Sequence, residues 1–216
     1  MRIGIHPALK RHDGGIYQYS VSVLRALRAL SDSSGHEFVV FAHEPDDPVL
    51  GMLDHPAWTI RSFRPPWGPK PCIDLNADCD LDAPLEQPDM REWILECGVD
   101  LMLYPSPHRL SFESGIPFVM AIHDVQHLLQ PEFPEVSAEG ERERREYVYR
   151  NAARGAIRLI ANSETGRNEL LEGYGEFGLS SDRIAILPYP PPEIDAGQSI
   201  RCEARVGKQY PLPDRF

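Results

Sequence analysis

Histidine and aspartate stand side by side at His123 and Asp124, directly after the apolar run IPFVMAI at 116–122. An imidazole at the end of a buried strand can hydrogen-bond a substrate or move a proton, with the carboxylate orienting it or serving as a separate acceptor. The competing reading is a histidine that caps the strand by satisfying backbone groups. Gly14 and Gly15 open a helical pattern. Two glycines let the backbone approach a ligand closely, and amides at a helix start face an anion such as a phosphate. A tight turn with no ligand would use the same residues. The dinucleotide fingerprint GxGxxG is absent, and no cofactor is expected. Two further polar stretches follow apolar runs: Tyr104, Pro105, Ser106, Pro107 and His108 after 101–104, and Asn162, Ser163 and Glu164 after 157–161. Ser163 reads as a helix N-cap and also as a candidate ligand contact.

Asp74, Asn76 and Asp78 have the spacing of the first three ligands of a calcium loop. Cys79, however, stands where that loop needs glycine, and Leu85 where it needs a bidentate glutamate. The stretch is therefore expected to be a solvated loop, and no metal ligands are assigned.

The elements that must position these groups follow from hydrophobic period. Short apolar runs at 2–6, 37–43, 58–63, 101–104, 117–122, 157–161 and 183–187 predict strands. Helical patterns begin at Gly14–Gly15 and cover 88–97, 137–154 and 163–173. In the first helix Ile16, Val23, Leu24, Leu27 and Leu30 recur at three- and four-residue steps and are expected to face the sheet. Alternation of strand and helix predicts an α/β fold, a Rossmann-like three-layer sandwich with a mainly parallel sheet. In such sheets ligands bind beyond the carboxyl ends of the strands, where the polar stretches named above fall. The 21 prolines gather at 64–71 and 188–192. They divide the chain into a domain at 1–188 with an irregular insertion at 64–88, and a linker at 189–216.

The 216 residues, 42% hydrophobic and 25% charged, exclude disorder of the whole chain. A net charge of −11 argues against nucleic-acid binding and against firm attachment to anionic lipid. The four cysteines (Cys72, Cys79, Cys97 and Cys202) form no CxxC pair, and the N-terminus lacks a secretory pattern, so a reducing cytoplasmic compartment is expected. The longest apolar run is far short of a membrane span.

Four segments in order, Gly14-Gly15-Ile16-Tyr17-Gln18-Tyr19, IPFVMAIHDVQHLLQPEFP, IRLIANSETGRNELLEGYG and RIAILPYPPP, resemble the N-terminal half of a GT-B glycosyltransferase of the group 1 kind. That family, family 4, is retaining and includes many mannosyltransferases. The closing KQYPLPDRF is similar to the segment just before the C-terminal domain of those enzymes. The resemblance implies two facing Rossmann-like domains, with the nucleotide sugar held mainly by the C-terminal one, which lies outside this chain. This half would bind the acceptor and complete the cleft. His123 would contact the transferred sugar, and Gly14, Gly15 and Tyr19 would lie near donor phosphates or acceptor. Tyr104, Ser106, Asp124 and Ser163 complete the candidate substrate contacts. The implied partners are a nucleotide-sugar donor, GDP-mannose being one candidate, and a glycan or lipid-linked acceptor, with at most peripheral contact at the inner face of a membrane.

The family's acidic pair and diphosphate-clamping basic groups belong to the other half. Glu135 with Glu143, and Glu164 with Glu172, share the acidic spacing by chance on acidic helices. The stretch ERERREYVYR at 141–150 reads as a solvated helix face. The alternative to an enzyme half is a stand-alone small-ligand or interaction module of doubly wound type.

Overall fold

The computed structural model describes residues 1–63, 81–84 and 86–189. Most of the proline-rich insertion, the Asp74–Asp78 stretch, and all of the expected linker except Tyr189 lie outside the described residues.

Among the described residues seven strands form the sheet: β1 Arg2–Ile5, β2 Glu37–Ala42, β3 Trp58–Ser62, β4 Leu101–Tyr104, β5 Phe118–Ala121, β6 Arg158–Ala161 and β7 Ile184–Ile186. The helices are α1 Gly15–Ala29, α2 Ser31–Ser34, α3 Pro88–Glu96, α4 Leu110–Glu113, α5 Gln126–Leu129, α6 Pro134–Ser137, α7 Glu141–Gly155 and α8 Glu164–Tyr174. Every strand pair is parallel, in the order β3-β2-β1-β4-β5-β6-β7. This is the expected α/β, Rossmann-like sandwich. Strand order reverses between β1 and β4, where successive crossovers leave the sheet on opposite sides and open a crevice at the carboxyl edge.

Parallel strands are buried on both faces, and β2 accordingly reads as an unbroken apolar run. Its alternate side chains enter two cores. Phe38, Val40 and Ala42 join Ile5, Leu24 of α1, Leu50, Leu53 and Trp58 on one side. Val39 and Phe41 join Met90 and Ile94 of α3, Met102, Met120 and the α7 residues Tyr147, Ala152 and Ala153 on the other.

Two details depart from the expectation. The face that α1 buries is Tyr19, Ser20, Val21 and Leu24, whereas Ile16 and Leu30 are 38% and 54% exposed. Ile16 sits in the first turn of α1 and lines a cavity rather than the sheet. The single helix expected over 137–154 is broken into α6, a 3₁₀ turn at Ala138–Gly140 and α7. Gly140 takes φ 76° and Glu139 φ 53°, in the left-handed region that ends a right-handed helix. The stretch at 141–150 is solvated only in part: Arg142, Glu143 and Arg144 are exposed, whereas Glu146, Tyr147, Val148 and Tyr149 of α7 are buried.

Gly4 faces Met102 across the central β1–β4 pair. A Cβ there would lie 2.3 Å from Met102 Sδ and 3.0 Å from both Phe41 and Val99. All three neighbours are buried. Gly4→Ala is expected to destabilise the fold by about 1–3 kcal/mol through overpacking. Urea unfolding checks this, and an unchanged midpoint would show that the central strands can spread to take the methyl.

Candidate functional site

A cleft of about 920 Å³ opens at the carboxyl edge of the sheet. Gly15, Ile16 and Tyr19 of α1 form one wall, and Ser106, His108 and Arg109 follow β4. His123 and Asp124 follow β5, while Arg144, Arg145 and Tyr149 project from α7 and Tyr189 from beyond β7. Five of the expected site residues thus meet in one cavity: Gly15, Tyr19, Ser106, His123 and Asp124.

Gly14 is the N-cap of α1 at φ 57°, a backbone angle that a Cβ disfavours. Apart from chain neighbours and the backbone of α1 itself, no atom of the described residues lies within 4 Å of the place a Cβ would take at Gly14 or at Gly15. Tyr104 is not at the cleft. It is 1% exposed, lies parallel to the His108 ring and edge-on to Phe118, and belongs to the core. Burial pushes its phenol well above the ordinary value. Ser163 also lies outside the lining. Its hydroxyl caps α8 by accepting the Gly166 N–H at 3.0 Å and donates to Asn162 Oδ1 at 3.1 Å. Asn162 in turn donates to the His123 carbonyl at 2.9 Å, so this pair holds the backbone of the cleft histidine from behind.

His123 is clasped by aromatic rings. Tyr19 meets it edge-on with centroids 5.0 Å apart, and the Tyr189 hydroxyl lies 3.0 Å from Nδ1. Among the described residues Nε2, which is buried, has no hydrogen-bond partner. Burial lowers the pKa of this imidazole, with the Pro105 backbone and the Asp124 charge opposing in part. The ring is consequently neutral at pH 7, a hydrogen-bonding group rather than a cation. Burial, with Tyr189 nearby, pushes the Tyr19 phenol up to about 12.

Asp124 is engaged elsewhere than on His123. It accepts the Gln126 N–H at 3.0 Å and the Arg145 guanidinium at 2.8 Å. Arg145 also donates to Glu141 at 2.8 Å, and Arg144 pairs with the same carboxylate. The α7 wall is therefore a fixed lattice of alternating charge. Its arginines were not legible as site residues, because the stretch at 141–150 alternates charge as many exposed helices do. The spacing of Arg144 and Arg145 to Val148 and Tyr149 is the signal that places them on one face.

Beneath this wall lies a buried polar network. His127, fully buried, holds Glu146 Oε1 at 3.0 Å and the Tyr174 hydroxyl at 2.9 Å through Nε2. Tyr174 donates to Glu146 at 2.7 Å, and Arg150 donates to the second oxygen at 2.7 Å. Burial acts to raise the Glu146 carboxyl, but the hydrogen bonds from His127, Tyr174 and Arg150 and the charge of Arg150 prevail and hold it at about 2. On the other flank, His6, His43 and His108 gather with Phe63 at the ends of β1, β2 and β4. Burial, with help from Arg109 and His43, lowers His108 to about 4, so the ring it presents to the cleft is neutral. Among the described residues no three His, Cys, Asp or Glu groups are arranged to hold a metal ion, and no helix is long and apolar enough to cross a membrane.

The family model described as Glycosyltransferase Family 4 matches residues 14–190. Solved structures similar to this chain include the MnaA protein of S. aureus with UDP, at 13% identity and TM-score 0.49. A UDP-N-acetylglucosamine 2-epimerase from Rickettsia bellii is similar at 10% identity and TM-score 0.48. UGT2 of Phytolacca americana, complexed with UDP-2fluoro-glucose and pterostilbene, is similar at 9% identity and TM-score 0.46. These alignments cover 100%, 99% and 94% of this chain but 48%, 49% and 57% of theirs, so the chain spans about half the length of those proteins. No curated protein matches.

The buried network makes the α7 wall acid-sensitive in a defined window. The Glu146 carboxyl falls from an ordinary 4.5 to about 2 on folding, so its stabilisation is complete above 4.5 and is lost as pH falls toward 2. Glu146→Gln is expected to be less stable than the native chain at pH 7 and to lose less further stability between those pH values. Urea titrations across the window check this, and equal slopes for the two proteins would contradict it.

Proposed function

The chain belongs to glycosyltransferase family 4, and on that premise we propose that it is the acceptor-side half of a retaining sugar transferase. The observation that carries this reading is His123: a neutral imidazole two residues past β5, on the wall of the cleft, with the Tyr19 ring against it. In the proposed reaction the bond between the sugar's anomeric carbon and the nucleotide diphosphate breaks. The acceptor hydroxyl forms its new bond on the same face, and the hydroxyl proton passes to the leaving phosphate. The share of this half is positioning. Tyr19 and Tyr149 give apolar surface to a sugar ring, His123 hydrogen-bonds a hydroxyl, and the α1 start offers backbone amides at Gly14 and Gly15.

In this reading 1–188 is the acceptor-side domain, and 189–216 leads toward a donor-binding domain that grips ribose and diphosphate. The donor is a nucleotide sugar, with GDP-mannose as the first candidate. The acceptor is a glycan or a lipid-linked glycan, met in the cytoplasm or at the inner face of a membrane.

His123→Ala in the complete protein is expected to lower turnover by about a hundredfold or more, with the melting temperature unchanged. Unaltered turnover would return His123 to a structural role. The isolated chain should bind nucleotide sugars no more tightly than about millimolar, since its few contacts must offset about 4–15 kcal/mol of lost freedom. Micromolar binding in a calorimetric titration would instead favour a stand-alone ligand-binding module.

A further inference from the structure

Tyr189 lies in the RIAILPYPPP segment but belongs to neither core, yet it reaches the one histidine on which the proposed chemistry turns. Its hydroxyl sits 3.0 Å from His123 Nδ1, and its ring meets Tyr19 edge-on with centroids 5.3 Å apart. Half of the residue is exposed on the open side of the cleft. Nε2 on the far side of the imidazole is buried and has no partner among the described residues. Nδ1 is therefore the nitrogen that His123 can offer to a molecule in the cleft, and the phenol occupies it.

The stalk that carries Tyr189 is stiff. The Leu187 N–H is tied to the Ala161 carbonyl at 2.9 Å, beside the last sheet pair. Pro188 precedes Tyr189 and Pro190 follows it. Proline fixes its own φ and restricts the residue before it to extended conformations. The backbone on both sides of Tyr189 is thus restricted, which lowers the ordering needed to bring its side chain to the imidazole.

We infer that Tyr189 is a positioning residue that holds His123 as the Nε2–H tautomer and covers its cleft-facing Nδ1 until a substrate hydroxyl takes the same place. A neutral imidazole carries one N–H and one acceptor nitrogen. When the phenol donates to Nδ1, the proton resides on Nε2. The ligand that replaces the phenol must donate a hydrogen bond in the same direction, as an alcohol does and a carboxylate or phosphate does not. The pairing rests on the geometry alone, and the identity of the displacing hydroxyl as a sugar's rests on the transferase reading.

Nitrogen-15 spectra of the imidazoles in the 216-residue chain test the pairing directly. The His123 signals, identified by their loss in His123→Gln, should show the Nε2–H tautomer. Tyr189→Phe keeps the ring against Tyr19, removes the hydroxyl, and should shift the tautomer ratio about fivefold, the effect of one ordinary hydrogen bond. A native Nδ1–H tautomer, or a pattern that Tyr189→Phe leaves unchanged, overturns the pairing. In the complete protein assayed with GDP-mannose and UDP-glucose, Tyr189→Phe should lower the KM for the sugar nucleotide severalfold, because Nδ1 is already free. An unchanged KM overturns the covering role. No sugar transfer by the complete native protein from any nucleotide-sugar donor would instead sink the transferase reading, and the spectra would still decide the pairing.

Discussion

An all-parallel sheet cannot leave either face to water, and the rest of this structure depends on that constraint. Each strand must return through a crossover, and the crossovers must bury two apolar faces. Leu24 of α1 serves one core, while Met90 and Ile94 of α3 and Tyr147 of α7 serve the other. Where the strand order turns at β1 and β4, no crossover covers the carboxyl edge, and the cleft is what remains. Its position follows from topology before any side chain is chosen.

The side chains that make the cleft chemical are held by groups outside it. Asn162 grips the His123 carbonyl and is itself held by Ser163, which also caps α8. Asp124, at first sight the partner of His123, anchors Arg145 instead. The His127–Glu146–Tyr174 network fixes α7 from within, with Tyr149 edge-on to His127 at 5.2 Å and on the cleft wall at the same time. Every polar member of that network sits in low dielectric, where a satisfied hydrogen bond is stronger and a missing one costs more. Such a network lets a helix rich in charge serve as a core element.

Burial also sets the protonation of the site. His108 and His123 on the cleft wall, and His6 behind His108, all have lowered pKa values with burial as the largest cause, so the cleft presents two neutral imidazoles. Its fixed charges come from α7 and from Arg109, where Glu141, Asp124 and Glu113 balance the arginines. A cleft with neutral hydrogen-bonding rings at its base and compensated charge on its rim suits a polyhydroxylated ligand better than a bare ion.

The sequence by itself determined the layers and the rank of the segments. Unbroken apolar runs such as FVVFA have no polar face to give to solvent, so they must be strands of a buried parallel sheet, and the polar residues after them must fall on one edge. That reasoning reached Gly15, Tyr19, Ser106, His123 and Asp124. It misplaced Tyr104 because the last residue of a strand can point into the core or toward the edge, and only packing against His108 and Phe118 decides which. The break at Glu139 and Gly140 was hidden because glycine tolerates a helix as well as ending one. Arg144, Arg145, Tyr149 and Tyr189 were illegible for a different reason. Helical spacing puts Arg144 and Arg145 on one face, but Arg145 meets Asp124 21 positions away and Tyr189 meets His123 and Tyr19 66 and 170 positions away, and no local period records which segment the fold will bring beside them.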